Sequence, residues 1–190
     1  MCAGATRLGY PAAMASSIRV YLGHGASGTA ASMAPFVAGL RARGVDAVAI
    51  DLPKRKAEDA VPALLAIAPP GPNVVVGGHS YGGRVASLAA AQATYRGLVC
   101  FSYPLHPPGG PERTAARIAH WPDIACPALL LCGESDPFAR IELLRAAMPT
   151  LPHGELVTWP RLGHTLKPVL DEALDRAAAF ILALPEPRVR

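Results

Sequence analysis

The sequence predicts an α/β fold: a doubly wound, mainly parallel sheet of six strands with helices on both faces. Three observations lead there. Short apolar, β-branched runs alternate with stretches of helical apolar period along nearly the whole chain. Several of those runs are apolar at every position, as strands buried on both faces are. Between successive runs lies a crossover long enough to hold a helix, which parallel neighbours require.

The elements follow in order. Residues 1–17, MCAGATRLGYPAAMASS, lack the apolar core of a signal peptide and are expected to be a loose extension, with Met14 an alternative start. One domain is expected over 18–190. The first strand, 18–22, runs into GHGASG, and a helix over 30–43 is stopped by Gly44. A strand at 46–52 precedes a helix at 57–68, closed by Pro69-Pro70. The strand at 73–77 meets a glycine-rich turn, and the helix behind it continues to about residue 94. Strands at 97–103 and 128–132 follow, then a helix at 139–148 and a last strand at 155–159. In the closing helix Leu170, Leu174, Ala177, Ile181 and Leu184 form one stripe of 3.6-residue period, with Pro168 where a first turn tolerates it.

Composition narrows the function classes. A chain of 190 residues buries roughly 70% of its unfolded surface and needs neither disulfides nor a metal for its core. The formal charge of +4 is mild. Lys54, Arg55 and Lys56 are followed at once by Glu58 and Asp59, as in a solvated helix entry rather than a nucleic-acid or membrane patch. No apolar span approaches the ~18 residues of a membrane helix. Cys2, Cys100, Cys126 and Cys132 form no Cys-x-x-Cys pair, and two of them lie in strand-like runs. Reduced, buried thiols in a cytoplasmic protein are therefore expected, with no metal and no cofactor.

In a parallel sheet the chemistry collects at the carboxyl ends of the strands. Gly78-His79-Ser80-Tyr81-Gly82 stands at one such end, where a strand must reverse into a helix. Small neighbours allow that close approach, and the strained turn lifts the Ser80 hydroxyl clear at a helix N-terminus. A serine nucleophile needs a base, itself oriented by a third group. Asp136 in CGESDPF is the expected acid, with Glu134 its neighbour, and His164 in RLGHTLK is the expected base. Oxyanion donors are expected at the backbone N–H of Tyr81 and of Ala26, with Gly25 the alternative to Ala26. His24 braces that loop and, with Gly25, Tyr103 and His106, is a candidate for the substrate pocket. Dinucleotide binding through Gly23, Gly25 and Gly28, with Asp46 or Asp51 about 20 residues on, leaves Ser80, Asp136 and His164 unexplained.

GHSYGGRVAS, FSYPLHPPG and CGESDPF together resemble the α/β-hydrolase superfamily. Within it they look like the small dienelactone-hydrolase-like branch, which includes testis-expressed hydrolase-like proteins and a subunit of a histone-acetyltransferase complex. The resemblance runs from Ile18 onward, and Tyr103 to Gly109 is its most specific segment. It implies Ser80, Asp136 and His164 as the triad and a minimal sheet without the two N-terminal strands of larger relatives. Dienelactone hydrolases proper use a cysteine nucleophile where this chain has Ser80, so their substrate does not carry over.

Residues 105–123 are too few for a cap domain, which leaves an open, shallow site expected to suit a small ester or thioester. Arg84 is read as a structural ion pair in preference to a substrate anchor, and His106 as a brace for the proline-rich loop. Trp121 and Trp159 are read as packing residues. The Tyr103-Pro104 bond is open to cis or trans. The expected activity is hydrolysis through an acyl-enzyme; thioester, peptide and perhydrolysis chemistry share such a site. The alternative is an interaction protein that keeps the fold without catalysis.

Overall fold

A computed structural model describes residues 18–185. The extension expected over 1–17, the alternative start at Met14 and Cys2 lie outside the described residues. In chain order the elements are β1 (Arg19–Gly23), α1 (Ala34–Ala42), β2 (Asp46–Ile50), α2 (Ala57–Ile67), β3 (Gly71–His79) and α3 (Tyr81–Ala90). Then come β4 (Tyr95–Phe101), α4 (Thr114–Ile118), β5 (Ala128–Gly133), α5 (Ile141–Ala147), β6 (Gly154–Trp159) and α6 (Leu170–Leu182).

The six strands form one sheet in the order β2-β1-β3-β4-β5-β6, and every neighbouring pair is parallel. Side chains alternate across it with period two. Leu98 and Cys100 of β4 face one core, while Val99 and Phe101 face the other. Leu64 of α2, Val85 of α3 and Leu144 of α5 cover the first face. Leu40 of α1 with Leu174 and Ile181 of α6 cover the second. Burial on both sides is why the strands read as unbroken apolar runs.

The chain winds outward from β1 in both directions: β2 lies on one side of it and β3 on the other. That reversal opens a crevice beyond the carboxyl ends of β1 and β3, the place where open α/β sheets bind ligands. Gly23 pairs with Gly78 at its floor.

Three segments differ from the sequence reading. The helix expected over 30–43 is divided into a 3₁₀ turn, Ala30–Met33, and α1, with Pro35 in the first turn and Gly44 beyond the end at φ 81°. The helix after Ser80 stops at Ala90, because the N–H groups of Gln92 and Ala93 both turn back onto the Ala89 carbonyl. The stretch 105–123, to which no element was assigned from the sequence, contains α4 between two 3₁₀ turns that each carry proline in their first turn.

Trp121 and Trp159 are packing residues. Trp121 meets Tyr103 edge-to-face, and the Trp159 indole donates to Glu172. Cys100, Cys126 and Cys132 are buried and free. Among the described residues no helix is long and apolar enough to cross a membrane.

Candidate active site

Ser80 alone bridges β3 and α3, at φ 51° and ψ −111°. Left-handed φ on a residue other than glycine costs about 1–3 kcal/mol and persists only where the surroundings enforce it. Here they do. The Ser80 N–H donates to the Phe101 carbonyl at 2.8 Å, and its own carbonyl accepts from Arg84 N–H at 3.0 Å. The flanking glycines answer to β1: a β carbon on Gly78 or Gly82 would run into the Gly23 carbonyl, and Gly78 also has φ 151°. They let the first turn of α3 lie directly against the end of a neighbouring strand.

The turn delivers the Ser80 hydroxyl to His164. Ser80 Oγ–H donates to His164 Nε2 at 2.9 Å, and His164 Nδ1–H donates to Asp136 Oδ2 at 2.7 Å. Asp136 is 3% exposed. Its other oxygen accepts the Phe138 N–H at 2.8 Å, so the carboxylate cannot turn away. That fixes the tautomer: Nδ1 carries the proton and Nε2 is free to accept one. Glu134, the neighbouring candidate, is engaged elsewhere, its Oε1 accepting from Arg145 at 2.6 Å and Thr158 at 2.8 Å.

The expected oxyanion donors border the same point. Tyr81 opens α3, so its N–H has no intrahelical acceptor. Gly28 N–H donates to Gly25 O at 2.9 Å, which makes Ala26 and Ser27 the central pair of a β-turn. Beneath the turn, His24 is 1% exposed. Its Nε2 accepts the Leu52 N–H at 3.0 Å, which places the proton on Nδ1, and Nδ1–H donates to Gly25 O at 2.7 Å. His24 thus braces the loop, as expected, and is not among the residues that line the two cavities at Ser80.

Of the two further pocket candidates, one borders a cavity at Ser80 and the other does not. Tyr103 is fully buried beneath α3, its hydroxyl accepting from Trp121 Nε1 at 3.3 Å, and it lines neither cavity at Ser80. Burial raises its pKa. His106 borders the smaller cavity, but both ring nitrogens are engaged: Nε2 accepts the Arg140 N–H at 3.0 Å and Nδ1–H donates to Pro107 O at 2.8 Å. It holds the proline-rich loop. No peptide among the described residues is cis, so Tyr103-Pro104 is trans. Arg84 forms the expected ion pair, with Glu58 at 2.5 Å.

Two recesses meet at Ser80 where one shallow surface was expected. One of about 480 Å³ is lined by Met33, Phe36, His79, Phe138, Leu166 and Leu170, together with His164 and Gly25. The 3₁₀ turn before α1 and the approach to α6 wall it, so no cap is needed. The other, about 220 Å³, lies toward Pro104, Pro107 and Pro108.

Two residues at the site were missed in the sequence. Phe138 packs on the His164 ring at 4.4 Å between centroids and lines both cavities. His79 lies against His164 at 5.3 Å, and its pKa is lowered by burial first and by His164 second. Both sit inside the motifs around Ser80 and Asp136; only the fold turns them toward His164.

The family model described as an alpha/beta hydrolase domain matches residues 16–182. No curated protein matches the sequence. Among solved structures the chain is similar to the monoacylglycerol lipase of Paleococcus ferrophilus, at 16% identity and a TM-score of 0.74, over 88% of this chain and 95% of that one. It is similar to Est1E of Butyrivibrio proteoclasticus, solved with ferulic acid bound, at 17% identity and a TM-score of 0.72, over 88% and 89%. A thioesterase domain from the curacin biosynthetic pathway follows at 17% identity and a TM-score of 0.67, over 88% and 91%. At these identities the likeness is one of fold.

Proposed function

Since the chain belongs to the alpha/beta hydrolase domain family, we propose that it is a serine hydrolase of small carboxylic esters or thioesters. One observation carries the reading: the hydrogen-bond chain from Ser80 through His164 to Asp136, drawn from the ends of β3, β5 and β6. The names of two of the three solved neighbours, a lipase and a thioesterase, are acyl-transfer names and support the class. The segment Tyr103 to Gly109 supports the dienelactone-hydrolase-like branch. The free buried thiols support a cytoplasmic location.

Ser80 Oγ attacks the acyl carbon as His164 Nε2 takes its proton. Asp136 holds the ring and stabilises the imidazolium. Charge developing on the carbonyl oxygen is met by the Tyr81 and Ala26 N–H groups and the N-terminal dipole of α3. His164 then protonates the leaving oxygen or sulfur. Water, deprotonated by the same nitrogen, releases the acid and restores Ser80.

The test is intact mass after incubation with a fluorophosphonate, on wild type, Ser80→Ala and His164→Ala. The expected result is one adduct on wild type, none on Ser80→Ala and a strong loss on His164→Ala. A folded wild type that takes no adduct overturns the reading, and the turn is then architecture in an interaction protein.

A further inference from the structure

The two cavities at Ser80 differ in lining, two arginines in the smaller against one lysine, Lys167, in the larger, and in their relation to the base. His164 lines the larger one alone, whereas Tyr81 lines the smaller one alone; Ala26, Ser80 and Phe138 border both. If Ser80 is the nucleophile, the leaving group must receive its proton from His164 Nε2. It therefore departs through the larger, mostly apolar cavity. The acyl chain, held at Ser80 under the Ala26 and Tyr81 amides, points into the smaller one.

That smaller cavity is lined by two arginines and no acidic side chain. Arg84 is already satisfied: Nη2 pairs with Glu58 at 2.5 Å and Nη1 donates to the Arg117 carbonyl at 2.9 Å. Arg117 is not. Its guanidinium reaches the Pro104 carbonyl at 3.5 Å and forms no salt bridge among the described residues. Burial, and after it the charge of Arg84, lowers the Arg117 pKa against the smaller opposing effects of Tyr103 and Glu58, so a closer anion would relieve its cation. The volume of about 220 Å³ corresponds to about seven water-sized units at roughly 30 Å³ each, the size of a succinyl group.

Resting on the hydrolase reading above, we infer that the smaller cavity is an acyl subsite for a short chain ending in a carboxylate, with Arg117 as its anchor. The substrates are then half-esters or half-thioesters of short dicarboxylic acids. A planar guanidinium suits a carboxylate bidentately. An apolar alcohol or thiol half fills the larger cavity.

Ser80→Ala keeps the cavities without turnover, so binding is read directly by calorimetry with benzyl hydrogen succinate and benzyl valerate, which are similar in size. The hydrogen succinate is expected to bind at least about tenfold more tightly. Adding Arg117→Gln is expected to abolish that preference, whereas adding Arg176→Gln, an equal loss of charge on α6, keeps it. Equal affinities for the two esters, or a preference that survives Arg117→Gln, overturn the subsite. Fluorophosphonate labelling reads the hydrolase separately. A labelled Ser80 with no preference sinks the subsite alone, and a preference without labelling sinks the hydrolase and leaves an anion site.

Discussion

Gly82 lies so close to Gly23 that a β carbon on it would strike the Gly23 backbone. The contact joins the start of α3 to the end of β1, and it sets how far the Ser80 hydroxyl stands from the donors in the loop after β1. Gly82→Ala is expected to destabilise by about 2–4 kcal/mol in urea unfolding and to slow labelling of Ser80. Gly44→Ala is the comparison: φ there is 81° but no atom lies within 4 Å of the added carbon. It is expected to lose only about 1 kcal/mol. Equal losses at the two positions would refute the close approach.

Asp136 and Glu134 separate cleanly. Asp136→Asn keeps the size of the side chain but favours the wrong His164 tautomer, and turnover of any ester substrate is expected to fall by about 10⁴. Glu134→Gln loses a half-exposed pair with Arg145 and leaves turnover unchanged. A larger loss at Glu134 than at Asp136 would reverse the assignment.

Phe138 supports His164 through ring contact and does no chemistry itself. Phe138→Ala frees the ring and merges the two recesses. The expected result is a fall of about tenfold or more in the labelling rate, while Phe138→Leu restores most of it. Full reactivity in Phe138→Ala would show that Asp136 alone holds the imidazole.

His120 makes stability depend on pH. Ser87 Oγ–H donates to the Arg84 carbonyl, so His120 Nε2–H donates to Ser87 Oγ at 2.9 Å. Burial, then the Arg84 charge, pushes the His120 pKa down to about 4. An unfolded histidine titrates near 6.5. Between those values the unfolded chain holds a proton that the folded chain refuses. Stability is therefore complete above about pH 6.5 and declines as pH falls toward about 4. His120→Gln keeps a donor to Ser87 without titrating, so its urea midpoint should vary less than that of wild type across this window. Parallel curves would remove His120 as the cause.

Much of this architecture is legible in the sequence, for physical reasons. Strands buried on both faces announce themselves as runs such as ALLLC, and the stripe through Leu170, Leu174 and Ile181 marks α6. Ser80, Asp136 and His164 could be ranked because each follows a strand, and strand ends are where a parallel sheet gathers polar groups. Side-chain direction was not legible. Tyr103 and His24 stand at strand ends too, yet one turns beneath α3 and the other beneath its own loop. Nothing local to either residue encodes which way it faces. α4 was missed because Thr114 to Ile118 is too short to show a period.

The Ser80–His164 and His164–Asp136 bonds join residues 84 and 28 positions apart. The second bond needs β5 and β6 in register and the first needs β3 through β6, and parallel pairing across long crossovers is slow. Reactivity at Ser80 thus belongs to the last stage of folding and to no compact precursor. During refolding a fluorophosphonate would act as a clock for completion, marking molecules only after circular dichroism already shows their helices.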